Sequence, residues 1–361
     1  MGNQGAIGDK GDPRVRIEQA HFADENVLDL SSEKQMDAPL VSVIIPTRNR
    51  AAMLRQLMET LARQSLPPDR FEVVVVDDGS SDETPQVAQG RYPFAVCYCQ
   101  EGHQGGAMAR NTGAGASRGA LLVFVDDDML LEPDYLAGLV KEHQAQARVI
   151  VMGELLPHLT PEDTVFRSIY TRLTASSAYN TGNPSFASFA SNNFSIKREH
   201  FFALGMWQKV ADDPRTLWLD VDLTYRAYKQ GFAFRSSPDA HCYHRDYAIR
   251  DLDTFTRRYR FQASLAVSLF RKYPDLAPLL PMFRDKGYVQ WGEDSPSLIA
   301  KKIVRQVLAA WPVLPGLEMV THLFERVYPQ PQVLAPLYRW VIGGYIAQGY
   351  RMGLRGETPK E

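Results

Sequence analysis

Leu121-Leu122-Val123-Phe124-Val125-Asp126-Asp127-Asp128 sets five apolar residues against three adjacent carboxylates. A short apolar run bounded by polar residues reads as a strand buried on both faces. Neighbouring carboxylates repel and raise one another's pKa, so such a cluster persists at a strand end where a cation or a metal-bound phosphate neutralises it. A solvated strand end followed by a helix cap is the plain alternative.

Working outward, the chain from Val41 alternates between strand-like apolar runs and helical periods, the pattern of a parallel sheet covered on both faces. Val41-Ser42-Val43-Ile44-Ile45 reads as a strand, Pro46-Thr47-Arg48-Asn49 as a turn, and Leu54, Leu57, Met58 and Leu61 as the buried stripe of a helix. Phe71 to Val76 is the next strand, closed by Asp77-Asp78-Gly79-Ser80-Ser81-Asp82, and a third covers Phe94 to Tyr98. From Gly105 to Gly119 the residues are nearly all small, so a helix there can approach the sheet or a ligand closely. After the acidic cluster come a helix from about Glu132 to Gln146, a strand near Val149 to Met152, and an irregular stretch rich in Ser, Thr and Asn to about Asn193. Asn193 to Lys197 reads as a strand, Leu219 to Lys229 as a helix, and Phe232 to Arg235 as a short strand leading to His241 and His244. Beyond Asp251 the pattern is helical. The expected organisation is an arm over residues 1–39, an α/β domain over 40–250 and a helical region over 251–361.

Composition narrows the function. Apolar residues make up 45% and charged residues 23%, with a net charge of −2, which argues against broad electrostatic binding to nucleic acid. Cys97, Cys99 and Cys242 form neither a disulfide framework nor a structural zinc set, which suits a reducing cytoplasm. No signal-like segment opens the chain and no apolar run of about 18 residues occurs, so neither export nor a membrane span is expected. Gly2, Gly5, Gly8 and Gly11 repeat too briefly for a collagen-like helix. Gly113 to Gly119 has the wrong spacing and context for a dinucleotide fingerprint, and a P-loop is missing.

The Pro-Thr turn, Asp77-Asp78, Asp126-Asp127-Asp128, and Asp220 with Asp222 at a helix start all fall at or beyond expected carboxyl ends of strands. Ligands bind at that edge in open α/β sheets. Over roughly residues 40–250 the chain resembles the family 2 glycosyltransferases, nucleotide-sugar enzymes of the GT-A fold. Val43-Ile44-Ile45-Pro46-Thr47-Arg48-Asn49, Val75 to Asp82, Ala109-Arg110-Asn111-Thr112-Gly113, Phe124 to Asp128, and Trp218-Leu219-Asp220-Val221-Asp222-Leu223 carry the resemblance, in the family's order. It implies a GT-A type, mostly parallel sheet with helices on both faces and a C-terminal helical unit. It also implies that Pro46, Thr47, Arg48, Asn49, Asp78, Arg110 and Asp127 bind the donor nucleotide. Asp126 and Asp128 are similar to the family's DXD pair, placing Mg²⁺ or Mn²⁺ on the diphosphate, with His244 as a further metal or diphosphate contact.

Inverting transfer needs a base for the acceptor hydroxyl. Asp220 is the first candidate and Asp222 the second, because Leu219 stands where the family usually has Glu. Trp218 is expected to stack on the acceptor, and Asn192 and Asn193 to hydrogen-bond its hydroxyls. Gly205-Met206-Trp207-Gln208 departs from the family's Gly-Phe-Asp-Glu turn, which bears on acceptor geometry. The implied activity is transfer of a sugar from a nucleotide diphosphate, with a UDP-sugar favoured, to a glycan or lipid-linked acceptor. The competing readings are a sugar-phosphate nucleotidyltransferase, disfavoured by a glycine-free first turn, and a non-catalytic nucleotide- or glycan-binding protein. Residues 301–361 carry eight Lys or Arg and four Glu, interleaved with apolar faces. Packing on the catalytic domain accounts for those faces first, and peripheral contact with the inner face of a membrane, or with a partner, is the alternative. The oligomeric state is left open.

Overall fold

The computed structural model describes residues 39–160, 162–178, 184–210, 218–245 and 250–358. The N-terminal arm expected over 1–39 therefore lies almost wholly outside the described residues.

Strands β1 (Val41–Thr47) and β2 (Phe71–Asp77) flank helix α1 (Ala51–Leu61), which buries Leu54, Leu57, Met58 and Leu61 as its spacing requires. Next come α2 (Thr84–Ala88), β3 (Ala95–Gln100), α3 (Gly106–Ala116) and β4 (Leu121–Val125), the last fully buried as its unbroken apolar run dictates. Then follow β5 (Met129–Leu131), α4 (Tyr135–Ala145), β6 (Val149–Leu156), α5 (Val165–Ala178), β7 (Asn193–Lys197), α6 (Arg198–Ala203), α7 (Leu219–Lys229) and β8 (Ala233–His244). The C-terminal helices are α8 (Leu252–Lys272), α9 (Pro296–Leu308), α10 (Val313–Val327) and α11 (Pro331–Leu354).

The eight strands form one sheet in the order β3-β2-β1-β4-β7-β6-β8-β5. Four neighbouring pairs are parallel and three antiparallel, so the sheet is parallel at its β3–β4 side and mixed beyond it. Two apolar cores cover its faces. One packs Leu54, Leu57 and Met58 of α1 and Leu136 and Leu139 of α4 against Val43, Val73 and Val123. The other packs α3, α6 and α7 against Ile44, Val74, Leu122 and Phe124. The small-residue stretch becomes α3 at close range, since a Cβ on Gly113 would lie 2.5 Å from Ile44 Cγ2.

Three local expectations are revised. The stretch expected to be irregular before Asn193 contains α5, whose Phe166 and Ile169 supply a buried face. The short strand at Phe232–Arg235 is instead the 12-residue β8, so His241 and His244 are strand residues. Its pairing with β6 slips between Gly153 and Glu154, and that irregularity hid the strand's period of two. β5 had no separate signal, being three residues long and paired only to β8.

A third core joins α5, Val221 and Tyr225 of α7, and the C-terminal helices α8 and α11. No single helix among the described residues is long and apolar enough to cross a membrane.

Candidate active site

Parallel pairing delivers the ends of β1, β2 and β4 to one sheet edge, with Thr47 opposite Asp77 and Ile44 opposite Phe124. β1 runs through Thr47, so Pro46 and Thr47 belong to the strand and not to the turn. Proline is tolerated there because β4 pairs with β1 only as far as Ile44, leaving that side of Pro46 unpaired. Thr47 Oγ1 donates to Asp127 Oδ2 at 2.8 Å. Arg50 Nη1 donates to Asp127 Oδ1 at 2.9 Å and to Asp128 Oδ2 at 3.1 Å. Arg50 was not among the residues singled out by sequence; its sole signal is its place between the Asn49 turn and α1.

Burial dominates at Asp127 and pushes its carboxyl up to about 6, against the pull of Arg50 and Thr47. At Asp128 burial acts the same way but is outweighed by His244 and Arg50, which hold that carboxyl below its ordinary value. His244 comes close because Met129 of β5 pairs with His244 of β8. Its Nε2 lies 3.1 Å from Asp128 Oδ1.

Asp78 is buried and accepts from the Gln104 and Gly105 backbone N–H groups at 2.5 and 3.0 Å, with His103 Nδ1 at 3.4 Å. Arg48 Nη1 reaches the same His103 ring, 2.6 Å from Nδ1. Asn49 ties the two turns together: its N–H donates to Ser80 Oγ at 2.8 Å and its Oδ1 accepts from Ser81 N at 2.7 Å. Arg48, Asn49 and Asp78 thus gather at the same sheet edge as Thr47 and Asp127.

Arg110, buried on α3, donates to the Asp126 carboxylate. Asp220, on the first turn of α7, accepts from Val221 N at 2.9 Å and from the Ser191 backbone, with Arg110 close enough to act on it. Burial raises its pKa against those three opposing contacts. Asn192 adjoins this group, its Nδ2 lying 3.5 Å from His244 Nδ1 and its carbonyl accepting from Asp126 N at 3.4 Å.

Three residues grouped with the site by sequence sit elsewhere. Asn193 is buried beneath the sheet edge, with Oδ1 accepting from Tyr135 OH at 2.7 Å and from Gly153 N at 3.1 Å and Nδ2 donating to Gly153 O. Its hydrogen-bonding capacity is used in joining β6 to β7. Trp218 turns its indole N–H to Gln262 O at 2.7 Å and packs on Phe283, so it anchors α8. Asp222 is fully buried and bonded to Arg226, Lys272 and Tyr273. Helical periodicity explains the last case, since positions two apart on a helix face different directions. In the altered turn, Trp207 packs edge-on to Phe124 and Phe194, and Asn111 clamps its backbone N–H and carbonyl at 3.0 and 2.9 Å.

Oxygen and imidazole donors suit a divalent cation. Asp128 Oδ1 is buried without a well-aligned hydrogen bond, which leaves lone pairs open beside His244. Asp126 stands apart: Arg110 engages it, and its oxygens do not fall within 4.8 Å of both Asp128 and His244 ligand atoms.

The model of glycosyl transferase family 2 matches residues 42–205, the segment that builds this edge. Over 119 residues the chain is 40% identical to a validoxylamine A glucosyltransferase of Streptomyces hygroscopicus subsp. limoneus, covering 32% of this chain and 26% of that protein. Over 222 residues it is 28% identical to the probable glycosyltransferase YdaM of Bacillus subtilis, covering 58% and 51%. The chain thus spans about a quarter to a half of the length of these curated relatives. The mannosyltransferase PcManGT of Pyrobaculum calidifontis, solved with GDP-Man and Mn²⁺, superposes at a TM-score of 0.55 with 22% identity, covering 88% of this chain and 87% of that one. The described residues share the GT-A fold of that structure.

Proposed function

We propose that this protein is an inverting glycosyltransferase that moves a sugar from a nucleotide-diphosphate donor, a UDP-sugar being favoured, to a glycan or lipid-linked acceptor. One observation carries the reading. The edge shared by β1, β2 and β4 brings Asp78, Arg110 and the Asp126–Asp128 cluster together, and Asp220 lies beside Arg110. The family match and relatives named as glycosyltransferases support it.

In this scheme the Arg48–Asn49 turn and Asp78 hold base and ribose, and Arg110 and Arg50 face the diphosphate. Asp128 and His244 would hold Mg²⁺ or Mn²⁺, and Asp126, engaged by Arg110, would join them only once released from that ion pair. When bound, the cation neutralises charge developing on the leaving diphosphate. Asp220 takes the proton of the acceptor hydroxyl, whose oxygen forms the new bond to the anomeric carbon. The bond to the β-phosphate oxygen breaks on the opposite face, and its electron pair leaves with the nucleotide diphosphate. Burial suits Asp220 to this role, because a raised pKa brings a carboxylate closer to the pKa of an effective base. Asp222, committed to its own ion pairs, is assigned no part in the chemistry.

We assign the catalytic domain to residues 40–250 and a helical region to 251–361. The test is a screen of nucleotide-sugars for Mn²⁺- or Mg²⁺-dependent binding and release of free nucleotide, with Asp128→Asn and Asp220→Asn as controls. Asp128→Asn is expected to weaken metal-dependent donor binding, and Asp220→Asn to spare binding and abolish transfer. Full transfer by both variants would overturn the assignment.

A further inference from the structure

Helices α9 and α10 expose apolar side chains on their outer faces. On α10 the polar side chains pair with neighbouring helices: Glu318 accepts from Tyr345 OH at 2.6 Å, Glu325 from Tyr338 OH at 2.7 Å, and His322 Nε2 meets the exposed Asp253 of α8 at 2.8 Å. The opposite face is apolar. Met319 is 73% exposed and is joined by Val320, Leu323 and Val327 along a helical stripe. No charged residue is exposed on α10 from Val313 to Glu325. On α9, exposed Ile303, Val304 and Val307 form a second stripe, and Trp311, 84% exposed, stands at the elbow between the helices.

Solvated surfaces rarely carry contiguous apolar stripes of this extent. Among the described residues this helix pair alone has the length and apolar composition of a membrane segment, but it bends by 79° at the break. Spans of 13 and 15 residues reach about 20 Å each, short of the ~30 Å hydrocarbon core, so neither helix crosses a bilayer by itself. Cations border the stripes: Lys301, Arg326 and Arg339 are exposed, within a C-terminal segment that holds eight Lys or Arg and four Glu in a chain of net charge −2. Trp311, Tyr328 and Trp340 are exposed beside them, the residue types that favour the headgroup level of a membrane.

We infer that the α9–α10 elbow is a monotopic docking surface for an anionic lipid bilayer, its apolar faces entering the interface and its rim cations meeting lipid phosphates. This goes beyond the proposed activity and does not depend on it. The protein would work at a membrane surface, where a lipid-borne acceptor is confined.

The test is co-sedimentation of the full chain with vesicles of phosphatidylglycerol and phosphatidylcholine, or of phosphatidylcholine alone, in the absence of donor. The wild type should partition onto the anionic vesicles and less onto the neutral ones. Met319→Glu with Leu323→Glu should lower partitioning about tenfold or more while leaving circular dichroism and donor-nucleotide binding unchanged. Trp311 fluorescence should be quenched by brominated lipid in the wild type, and Trp311→Phe should remove that component. Failure of the wild type to bind anionic vesicles, or equal binding by the double variant, overturns the inference. So does a vesicle-free dimer that the double variant converts to monomer, which would assign the face to a second copy. Donor turnover, measured separately in solution, stands or falls independently of these results.

Discussion

Asp220 and Asp222 lie two positions apart on α7, and replacing each with Asn should separate chemistry from stability. Asp222 is fully buried and accepts from Arg226 Nε and Nη2 at 3.0 and 2.7 Å, from Lys272 Nζ at 2.7 Å and from Tyr273 OH at 3.0 Å. Asp222→Asn leaves two cations without their counter-charge and turns an amide NH₂ toward one set of donors. Removing one partner of a buried ion pair costs about 3–5 kcal/mol. Lys272 is one-third exposed and water can screen it, so the lower end of that range is expected, with Asp222→Ala above it. Asp220 makes no such network, and its raised pKa means that burial opposes the ionised form. Asp220→Asn should therefore leave unfolding free energy unchanged or slightly higher, and lower kcat by about 10²–10⁴ as expected for loss of a general base. Urea unfolding gives the first quantity, and nucleotide release per folded molecule gives the second. A variant pair in which Asp222→Asn unfolds like the wild type but loses kcat, while Asp220→Asn keeps it, would refute the assignment.

Other expectations follow from the same contacts. The acid limb of kcat should lie above the ordinary aspartate range, with activity lost as pH falls through the raised Asp220 pKa, and a pH–rate profile on the metal-saturated protein checks this. His322 is raised because Glu325 and Asp253 outweigh the opposing effect of burial. Its stabilisation of the α8–α10 contact should be complete below the unfolded histidine pKa and fade as pH rises through the higher folded value, and His322→Gln should flatten the melting temperature above the unfolded histidine pKa. A Cβ on Gly349 of α11 would lie 1.8 Å from the Arg260 carbonyl of α8, so Gly349→Ala should force the helices apart at a cost of about 1–3 kcal/mol in denaturant titration.

Much of the β1–β4 half was legible because local rules govern it. Unbroken apolar runs such as Val73–Val76 and Leu121–Val125 suit strands buried on both faces, and the 3- and 4-residue spacing of Leu54, Leu57, Met58 and Leu61 suits one helix face. Parallel strands with acidic residues at their carboxyl ends assign Asp78 and Asp126–Asp128 to one edge from the sequence pattern alone. The mixed half resisted, because β5 is too short to show a period and β8 carries an irregularity that breaks one.

What the amino-acid order determined by itself was a family resemblance, the sheet edge and the carboxylates that reach it, since these depend on contacts or periods within a few residues. Only the tertiary structure decided which of them stay free at that edge. Asn193 and Asp222 differ from Asn192 and Asp220 by one or two positions, yet burial by Tyr135 and by Lys272 and Tyr273, distant in sequence, removes them from it. Arg50 entered and Trp218 left for the same reason: a side chain's direction is fixed by partners that the chain brings together from afar.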